Sequence, residues 1–331
     1  MKRKVLITGG AGFIGSHVVD ECISRGMEVV VLDDLSGGFK ENVNDKVELI
    51  EGSITDENLI TRLFDKYSFT YVYHLAAYAA EGLSHFIKRF NYENNLMGSI
   101  NLINASVNHN VECFIFTSSI AVYGKNQLPM TEDLTPVPED SYGIAKLAVE
   151  QELKASKEMF DLDYVIFRPH NVYGERQNIG DKYRNVIGIF MNRIMEGKPL
   201  PVFGDGKQTR AFTYIKDVAP IIAKSPLVNK SYGEIFNIGA DKPYTIINLV
   251  DVVSKAMEMK AEIQYFPARN EVKHAYSKHD KLEEIFLHNA DYSLEEGVER
   301  MVDWVKQCGP RKSKKFSNIE ILKNLPPAWL E

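Results

Sequence analysis

The chain has 331 residues, of which 44% are hydrophobic and 25% charged, and its net charge is −6 at pH 7. This length predicts one large domain with a smaller lobe, and the acidic balance without an extended basic face argues against nucleic acid as a partner. No apolar run reaches the ~20 residues that span a bilayer, and the chain enters a strand without room for a signal peptide. The three cysteines are widely spaced and lack metal-ligand patterning. We therefore expect a cytoplasmic protein with no membrane partner and no metal site.

The first 120 residues alternate between strand and helix patterns. Apolar runs predict strands at 4–8, 28–33, 47–50, 71–75 and 111–117. Helical periodicity predicts helices at 13–25, 56–66 and 92–109. This alternation predicts an α/β fold built on a doubly wound parallel Rossmann sheet.

Three glycines follow the first predicted strand and open the first predicted helix: Gly9, Gly12 and Gly15. The first permits a tight turn, the second lets a pyrophosphate approach the backbone, and the third lets the helix pack on the strand. The helix N-terminus offers free N–H groups to phosphates. The second strand ends in Asp33, and a carboxylate about 20 residues beyond such glycines accepts ribose hydroxyls. The pattern predicts a dinucleotide site.

The charge after the second strand indicates which dinucleotide binds. Asp33 and Asp34 would repel the 2′-phosphate of NADP, and no arginine stands in residues 35–39. The predicted cofactor is therefore NAD.

The next two strand ends supply further cofactor candidates. If the first loops hold a dinucleotide, Ser53 or Ile54 would lie beside its adenine ring. The fourth strand ends in His74, which we interpret as a packed core histidine. Small residues after it would let a ligand approach the backbone; these are Leu75, Ala76 and Ala77.

The segment 78–90 is polar, aromatic and irregular, and it follows the fourth strand where a substrate would meet the cofactor. We expect a substrate-shaped loop there, followed by a helix from about Asn91. Asn95 on that helix is either a solvated asparagine or fixes the next active-site loop through hydrogen bonds.

The fifth strand and the next helix carry the candidate reacting groups. Ser118 and Ser119 end the strand, where side chains face the ligand crevice. Tyr142 and Lys146 are four residues apart and so share one helix face. A phenol with pKa ~10 is a poor base, but a nearby ammonium lowers that pKa. Tyr142 could then take a proton from a substrate hydroxyl while the neighbouring C–H leaves as hydride, with Ser119 bonding the same oxygen.

These residues resemble the extended short-chain dehydrogenase/reductases, in particular the nucleotide-sugar epimerases related to UDP-glucose 4-epimerase. The resemblance runs from residue 4 to about 307. It is carried by the motifs TGGAGFIGSH, VLDDLSGG, HLAA, TSSIAVYG, SYGIAK, RPHNVYGERQ, PVFGDGKQTRAFTYIKDVA and FNIG.

The resemblance implies roles for individual residues. The pyrophosphate would contact Gly9, Gly12, Phe13 and Ile14. Asp33 would bind the adenosine ribose and Lys146 the nicotinamide ribose, while Ser119 and Tyr142 act on the C4 hydroxyl of the sugar.

At the nucleotide-sugar end, the resemblance implies that Asn171 and Arg210 approach the phosphates. Val202 and Phe203 would flank the base, and Arg269, with Glu271 close by, would hold the diphosphate or ribose. A guanidinium also matches a phosphate bidentately, which supports Arg210 independently.

The residues after Ser119 separate the reactions of this family. The related dehydratases and decarboxylases carry acidic or threonine-acid residues there, whereas this chain has Ile120 and Ala121. The leading interpretation is therefore 4-epimerisation of a UDP-hexose by transient oxidation at C4, in the manner of UDP-glucose and UDP-galactose.

Three alternatives remain. Residues 78–90, His170 and Lys182 resemble GDP-mannose 3,5-epimerase, although Ala121 stands at its catalytic cysteine position. The other two are a non-epimerising nucleotide-sugar dehydratase or reductase, and a non-catalytic nucleotide-sugar binder. Net NADH release would mark a dehydrogenase or reductase, and binding without turnover would mark a sensor.

The domain organisation is predicted to be discontinuous. The NAD-binding domain would comprise 1–171 and 213–240, and the smaller α/β nucleotide-sugar lobe 172–212 and 241–331. Helices at about 91–109 and 141–159 carry apolar stripes, which in this family pack into a homodimer and could otherwise pack within one chain. We expect the tail 311–331, which contains RKSKK, to be a solvated cap.

Overall fold

The computed structural model describes residues 3–125, 127–181, 183–268, 272–288, 290–312, 316 and 318–326. The strands are β1 (Lys4–Thr8), β2 (Glu28–Asp33), β3 (Glu48–Glu51), β4 (Tyr71–His74), β5 (Cys113–Thr117), β6 (Tyr164–Pro169), β7 (Val172–Tyr173), β8 (Leu200–Phe203), β9 (Thr209–Ala211), β10 (Thr213–Tyr214), β11 (Glu234–Ile238), β12 (Pro243–Thr245), β13 (Ile263–Phe266) and β14 (His274–Ala275). The α-helices are α1 (Phe13–Ser24), α2 (Glu57–Lys66), α3 (Glu81–Ser84), α4 (Lys88–Tyr92), α5 (Gly98–Asn108), α6 (Ser141–Phe160), α7 (Val186–Met195), α8 (Ala219–Lys224), α9 (Ile246–Ala256), α10 (Asp280–Phe286) and α11 (Leu294–Cys308).

A seven-stranded sheet forms the centre of the molecule, in the order β3-β2-β1-β4-β5-β6-β11. Every pairing in it is parallel. Strand β11 returns to this sheet beside β6. The order reverses at β1, and in open parallel sheets ligands bind outside the carboxyl ends of the strands at such a switch point.

The inner strands are apolar on both faces because helices cover both sides of the sheet. In β1, Val5 and Ile7 belong to one buried cluster and Leu6 to the cluster on the opposite face. In β2, Val29 and Val31 alternate in the same way with Val30. This alternation fixes the register of the strands, and so the position of the loops at their carboxyl ends.

The helix predicted at 92–109 is part of a longer helical segment, 88–108, in which the winding changes. The structure has α4, then a π-helical turn at Glu93–Met97, then α5. The wider turn places Asn95 in the interior, where its side chain bonds both backbone groups of Tyr78. A wide turn within a helix is often found at functional sites.

In the described residues, the second lobe consists of short strands and helices. Strand β8 pairs with β13, and β9 lies between β12 and β14. Helices α7, α9 and α11 pack around them. The domain boundaries given above remain a prediction. No helix in the part of the chain that the structure describes is long and apolar enough to span a membrane.

Candidate active site

A cleft of about 1450 Å³ opens at the carboxyl ends of the central strands. The loops after β1, β2, β4, β5 and β6 form one side, and the second lobe forms the other. Sixteen of the predicted site residues line it: Gly9, Gly12, Phe13, Ile14, Gly15, Asp33, Asp34, Ile54, Leu75, Ala76, Ala77, Ser119, Tyr142, Asn171, Phe203 and Arg210. Residues distant in sequence therefore meet around one cavity.

The glycine loop is too tight for side chains at its key positions. A Cβ on Gly15 would lie 2.0 Å from the carbonyl oxygen of Gly9, so no larger residue fits there. Gly9 has φ +73°, and its Cβ would lie 2.7 Å from the backbone nitrogen of Ala76. Gly12 lines the cleft directly. Bare backbone at a helix N-terminus therefore faces the cavity, which suits a pyrophosphate.

Asp33 is fixed at the end of β2 by the same loop. Its carboxylate accepts hydrogen bonds from the backbone N–H of Ala11 at 2.9 Å and of Leu35 at 2.8 Å. Burial raises the pKa of Asp33, while these two N–H groups oppose that rise. The carboxylate thus faces the cleft at the position where a ribose hydroxyl would be bound.

Of the two candidates for the adenine site, Ile54 and Ser53, the structure places one at the cleft. Ile54 is buried and lines the cleft. The Ser53 side chain instead bonds the Thr55 hydroxyl at 2.8 Å and is not part of the lining. The turn after β3 directs the Ser53 hydroxyl to its own loop. Ile54 is therefore the better candidate for a contact with the adenine ring.

The first turn of α6 places Tyr142 beside Ser119. Asp140 caps this helix by accepting from the backbone N–H of Gly143 at 2.8 Å. A Cβ on Gly143 would lie 2.7 Å from the carbonyl oxygen of Ala121, so the glycine allows α6 to approach the turn after Ser119. Ser119 and Tyr142 are hydrogen-bonded through their side chains. The predicted pair of reacting groups is thus assembled at the cleft.

The expected lowering of the Tyr142 pKa is not found in the protein alone. Burial raises the pKa of Tyr142 well above its usual value, and the carboxylates of Glu81 and Asp140 raise it further. The hydrogen bond from Ser119 and the charge of Arg184 act in the opposite direction. Desolvation therefore dominates the Tyr142 pKa in the protein alone, and the lowering expected from the Lys146 ammonium together with the nicotinamide charge stays a prediction.

Lys146 lies below the cleft. Its ammonium donates to the Thr117 carbonyl at 2.7 Å and lies 5.7 Å from the centroid of the Tyr142 ring. Burial lowers the pKa of Lys146 to about 7, although the nearby Glu150 carboxylate raises it. Lys146 is buried and is not part of the cleft lining, and its contact with the nicotinamide ribose stays a prediction.

A buried charge network below Lys146 was missed at the sequence level. Glu150, one helical turn beyond Lys146, accepts from the Ser118 hydroxyl at 2.5 Å and from two Arg168 nitrogens at 3.0 and 2.5 Å. Arg168 also donates to the Tyr123 hydroxyl at 2.7 Å. The four-residue spacing after Lys146 was the available signal, since it places Glu150 on the same helix face.

The nucleotide-sugar end of the cleft is lined by Asn171, Phe203 and Arg210. The guanidinium of Arg210 donates to the carbonyl oxygens of Thr209, Val272 and Lys273. The ring of Phe203 stacks on that of Phe266, with centroids 5.4 Å apart.

Two predicted substrate residues need separate comment. Val202 does not flank the cleft, because alternation along β8 buries it while Phe203 faces the cavity. Arg269 lies outside the described residues, as do Glu271 and Lys182.

Asn95 and His74 both have positioning roles. Asn95 is buried, and its bonds to the Tyr78 backbone, at 2.8 and 3.1 Å, fix the loop that follows Ala77. Asn95 is not part of the cleft lining. His74 bonds Thr8 and Ser99, each at 2.8 Å, in the core below the cleft, as expected for a packed histidine.

The described part of the tail is not a solvated cap. The Glu320 carboxylate accepts from the backbone N–H groups of Arg89 and Phe90, at 2.9 and 3.0 Å. Phe316 packs its ring against Tyr78 and Phe90, and Leu325 is buried in the same cluster. Four tail residues line the cleft: Ile321, Lys323, Asn324 and Pro326. The expectation for this segment was wrong, because its apolar residues dock on the 78–90 loop.

A parallel sheet with this topology, a bare glycine loop and an acid at the end of β2 together define a dinucleotide-binding α/β protein. The sequence model of the NAD dependent epimerase/dehydratase family matches residues 5–239. The chain belongs to this family, which confirms the predicted family resemblance and fold class. It also confirms NAD as the cofactor, and the glycine loop and Asp33 fit that group.

Individual relatives cover nearly the whole chain. A putative UDP-glucose 4-epimerase of Methanocaldococcus jannaschii is 34% identical over 306 residues, covering 91% of this chain and 98% of the relative. A UDP-N-acetyl-alpha-D-glucosaminuronate decarboxylase of Bacillus cytotoxicus is 32% identical over 325 residues, covering 93% and 99%. The crystal structure of the UDP-glucose 4-epimerase of Thermotoga maritima with UDP-glucose has a TM-score of 0.87 and 34% identity, covering 92% and 99%.

Proposed function

We propose that this protein is an NAD-dependent epimerase of a nucleotide-diphosphate sugar, and that it inverts C4 of a UDP-hexose. The observation that carries the proposal is the hydrogen-bonded pair of Ser119 and Tyr142 at the cleft, beside the glycine loop. A hydroxyl pair at this position can bind one substrate oxygen and remove its proton.

The turn after Ser119 favours epimerisation over elimination or decarboxylation. Ile120 and Ala121 both line the cleft, and neither can donate or accept a proton. The names of the relatives support both readings, since epimerases and a decarboxylase are among them. The apolar turn supports the epimerase, because the resemblance implies acidic or threonine-acid residues at these two positions in the dehydratases and decarboxylases.

Tyr142 and Ser119 would have different roles at the C4 hydroxyl of the sugar. Tyr142 would hold and remove the C4 hydroxyl proton, and Ser119 would orient that oxygen. When bound, NAD accepts a hydride from C4, and its pyridinium adds a positive charge beside the phenol. That charge opposes the burial that raises the Tyr142 pKa in the protein alone. The Lys146 ammonium, 5.7 Å from the centroid of the Tyr142 ring, would add a second positive charge.

The second lobe would hold the nucleotide. Phe203, stacked on Phe266, offers a ring face to the base. The Arg210 guanidinium and the Asn171 amide lie on the same side of the cleft, where the diphosphate would pass. Binding the substrate through its nucleotide leaves the sugar free to turn over between the two hydride transfers, which a 4-epimerase requires.

Incubation with a panel of UDP-, GDP- and dTDP-sugars tests the proposal. We expect UDP-glucose and UDP-galactose to interconvert without net release of NADH. We expect Tyr142→Phe to reduce conversion by about 10²–10⁴-fold while NAD stays bound. Net NADH production, or carbon dioxide release from a UDP-uronate with no epimerisation, would contradict it.

We also propose the discontinuous domain division given above and assembly as a homodimer. Met97 and Ile144 are 53% and 43% exposed, one at the end of the π-helical turn and the other on α6. Apolar side chains on this pair of neighbouring helices are available to a second copy of the chain. Sedimentation should give the mass of two chains, and a strictly monomeric mass would refute the dimer.

A further inference from the structure

Arg184 lies in the segment just before α7, and its guanidinium reaches the loops of the dinucleotide site. It lines the cleft together with Gly12, Gly37 and Tyr78. A Cβ built on Gly37 would lie 3.6 Å from Nη2 of Arg184 and 3.8 Å from its Nη1. The centroid of the Tyr78 ring lies 4.9 Å from the guanidinium carbon. One side chain therefore approaches both the loop after β2 and the loop after β4.

The place of these two loops in the sheet indicates what the guanidinium faces. Strand β1 lies between β2 and β4, so the loops after β2 and β4 flank the glycine loop that follows β1. Gly38 packs on that glycine loop, because a Cβ built on it would lie 2.5 Å from the Ala11 carbonyl oxygen and 2.7 Å from the Gly12 nitrogen. The guanidinium of Arg184 therefore spans the crevice at the switch point, next to the N-terminus of α1, where a pyrophosphate binds.

The charges of the two loops show why a cation from elsewhere is needed. Residues 9–15 and 33–38 contain two aspartates and no lysine or arginine. These loops can offer main-chain N–H groups to a pyrophosphate, but no full positive charge of their own. A guanidinium supplies that charge and matches phosphate oxygens bidentately. The fold brings the Arg184 cation to this crevice from a segment about 170 residues further along the chain.

Contacts on one edge and one face hold the guanidinium in this position. The Asp181 carboxylate accepts from Nε of Arg184 at 2.7 Å and also from its Nη2. The Tyr78 ring lies against the guanidinium face, which is a favourable cation–π contact. Tyr78 is itself fixed, since Asn95 bonds its backbone and Phe90 packs on its ring. The hydrogen bonds seen among the described residues use Nε and Nη2, so Nη1 can donate to a ligand in the crevice.

We infer that Arg184 binds the pyrophosphate of NAD, and that Asp181 and Tyr78 hold its guanidinium in place for this contact. The inference depends on NAD as the cofactor and not on the identity of the sugar or on the reaction at C4. The segment before α7 then contacts the cofactor from the side opposite the glycine loop. Such a contact acts mainly on the rate at which the cofactor leaves. Retention of NAD matters to an enzyme that must return a hydride to its substrate.

The rate at which bound NAD exchanges with radiolabelled NAD tests this role. We expect Arg184→Gln to speed exchange about tenfold or more, because a charge-assisted hydrogen bond to phosphate is lost. Arg184→Lys should be intermediate, since it keeps the charge without the planar fork. Asp181→Asn should speed exchange less than Arg184→Gln, because the guanidinium remains. Arg193→Gln is the matched control, since Arg193 also lines the cleft but donates to the Pro199 carbonyl at 2.6 Å, and it should exchange NAD like the wild type.

Two further ligands identify the group that Arg184 contacts. ADP-ribose keeps the pyrophosphate and lacks the nicotinamide, so Arg184→Gln should speed its release as much as that of NAD. The affinity for UDP, measured by calorimetry, should stay unchanged.

Wild-type exchange rates in the Arg184 variants would overturn the inference, as would faster release of NAD but not of ADP-ribose, or a loss confined to UDP. Circular dichroism verifies folding, and either Arg184 variant decides alone if the other does not fold. Absence of epimerisation by the wild-type protein would contradict the proposed function and leave the exchange measurement valid.

Discussion

Arg168 and Glu150 form a fully buried ion pair one helical turn from Lys146. Arg168 donates to both carboxylate oxygens of Glu150, and Ser118 donates to one of them. The Glu150 charge raises the pKa of Lys146 and burial lowers it more strongly, which leaves this pKa at about 7. A change in this ion pair should therefore alter both the stability of the core and the charge state of Lys146, which lies below Tyr142.

Replacing Glu150 by Gln should affect stability and pH dependence together. Arg168 would be left buried without its counter-ion, which costs about 3–5 kcal/mol in the free energy of unfolding. The pKa of Lys146 would fall below 7, because the charge that raises it is gone. Activity that needs the ammonium would then be lost at lower pH, so the alkaline limb of the pH–rate profile should shift to lower pH.

Urea unfolding and a pH–rate profile measure the two effects. The exposed Glu152→Gln on the same helix is the control, and an unmoved limb in Glu150→Gln would contradict this role.

Phe203 and Val202 provide a matched pair of substitutions on one strand. Phe203→Ala removes a ring from the cleft, and base–aromatic stacking is worth about 1–3 kcal/mol. We expect UDP affinity to fall about tenfold with little change in thermal stability. Val202→Ala should instead lower stability, since its side chain is fully buried and away from the cleft. Calorimetric UDP titration and thermal unfolding separate the two, and equal UDP affinity in both variants would exclude a base contact at Phe203.

Asp33 should be needed for NAD retention more than its neighbour Asp34. The Asp33 carboxylate is held by two backbone N–H groups and faces the cleft, whereas Asp34 bonds only the Ser36 backbone in the hydrogen bonds seen. We expect Asp33→Asn to weaken NAD binding at least tenfold, and Asp34→Asn much less. Fluorescence titration of NAD measures both. Comparable turnover with NADP in the wild-type protein would contradict the assigned role of these acids.

We expect the anchoring of the tail by Glu320 to affect binding of the nucleotide sugar. Glu320→Ala removes two charge-assisted hydrogen bonds to the backbone of α4, each worth about 1.5–3 kcal/mol. We expect faster proteolysis between residues 309 and 326 and a higher KM for the nucleotide sugar, with NAD affinity unchanged. Glu299→Ala, at an exposed position on α11, is the control. Identical proteolysis of the two variants would show that Glu320 does not anchor the tail.

The cofactor half of the site could be predicted because each of its signals is contained in a short segment of sequence. These signals are the glycine spacing, Asp33 and the apolar strands. Most of the predicted cofactor residues line the cleft as expected. Residues 78–90, predicted as an irregular loop, contain the short helix α3 and the start of α4, and the wide turn that buries Asn95 left no simple periodic signal.

The remaining features depend on contacts between distant segments. The sequence could not tell which of Val202 and Phe203 faces the cleft, because neighbouring residues of a strand point to opposite faces and a shift of one residue exchanges them. Glu150 meets Arg168 only after helix α6 packs on β6, and Glu320 meets α4 across more than two hundred residues. The desolvation that raises the Tyr142 pKa likewise depends on burial, which the Tyr142–Lys146 spacing does not report.

The most direct test of the central claim is the fate of the C4 hydrogen. UDP-glucose labelled with deuterium at C4 should be converted, in ordinary water, to UDP-galactose that keeps the label at C4. This result follows if the hydride leaves and returns at the same carbon while Tyr142 handles only the hydroxyl proton. Mass spectrometry and NMR of the product give the answer. Loss of the label to water, or exchange at C3 or C5, would contradict the account.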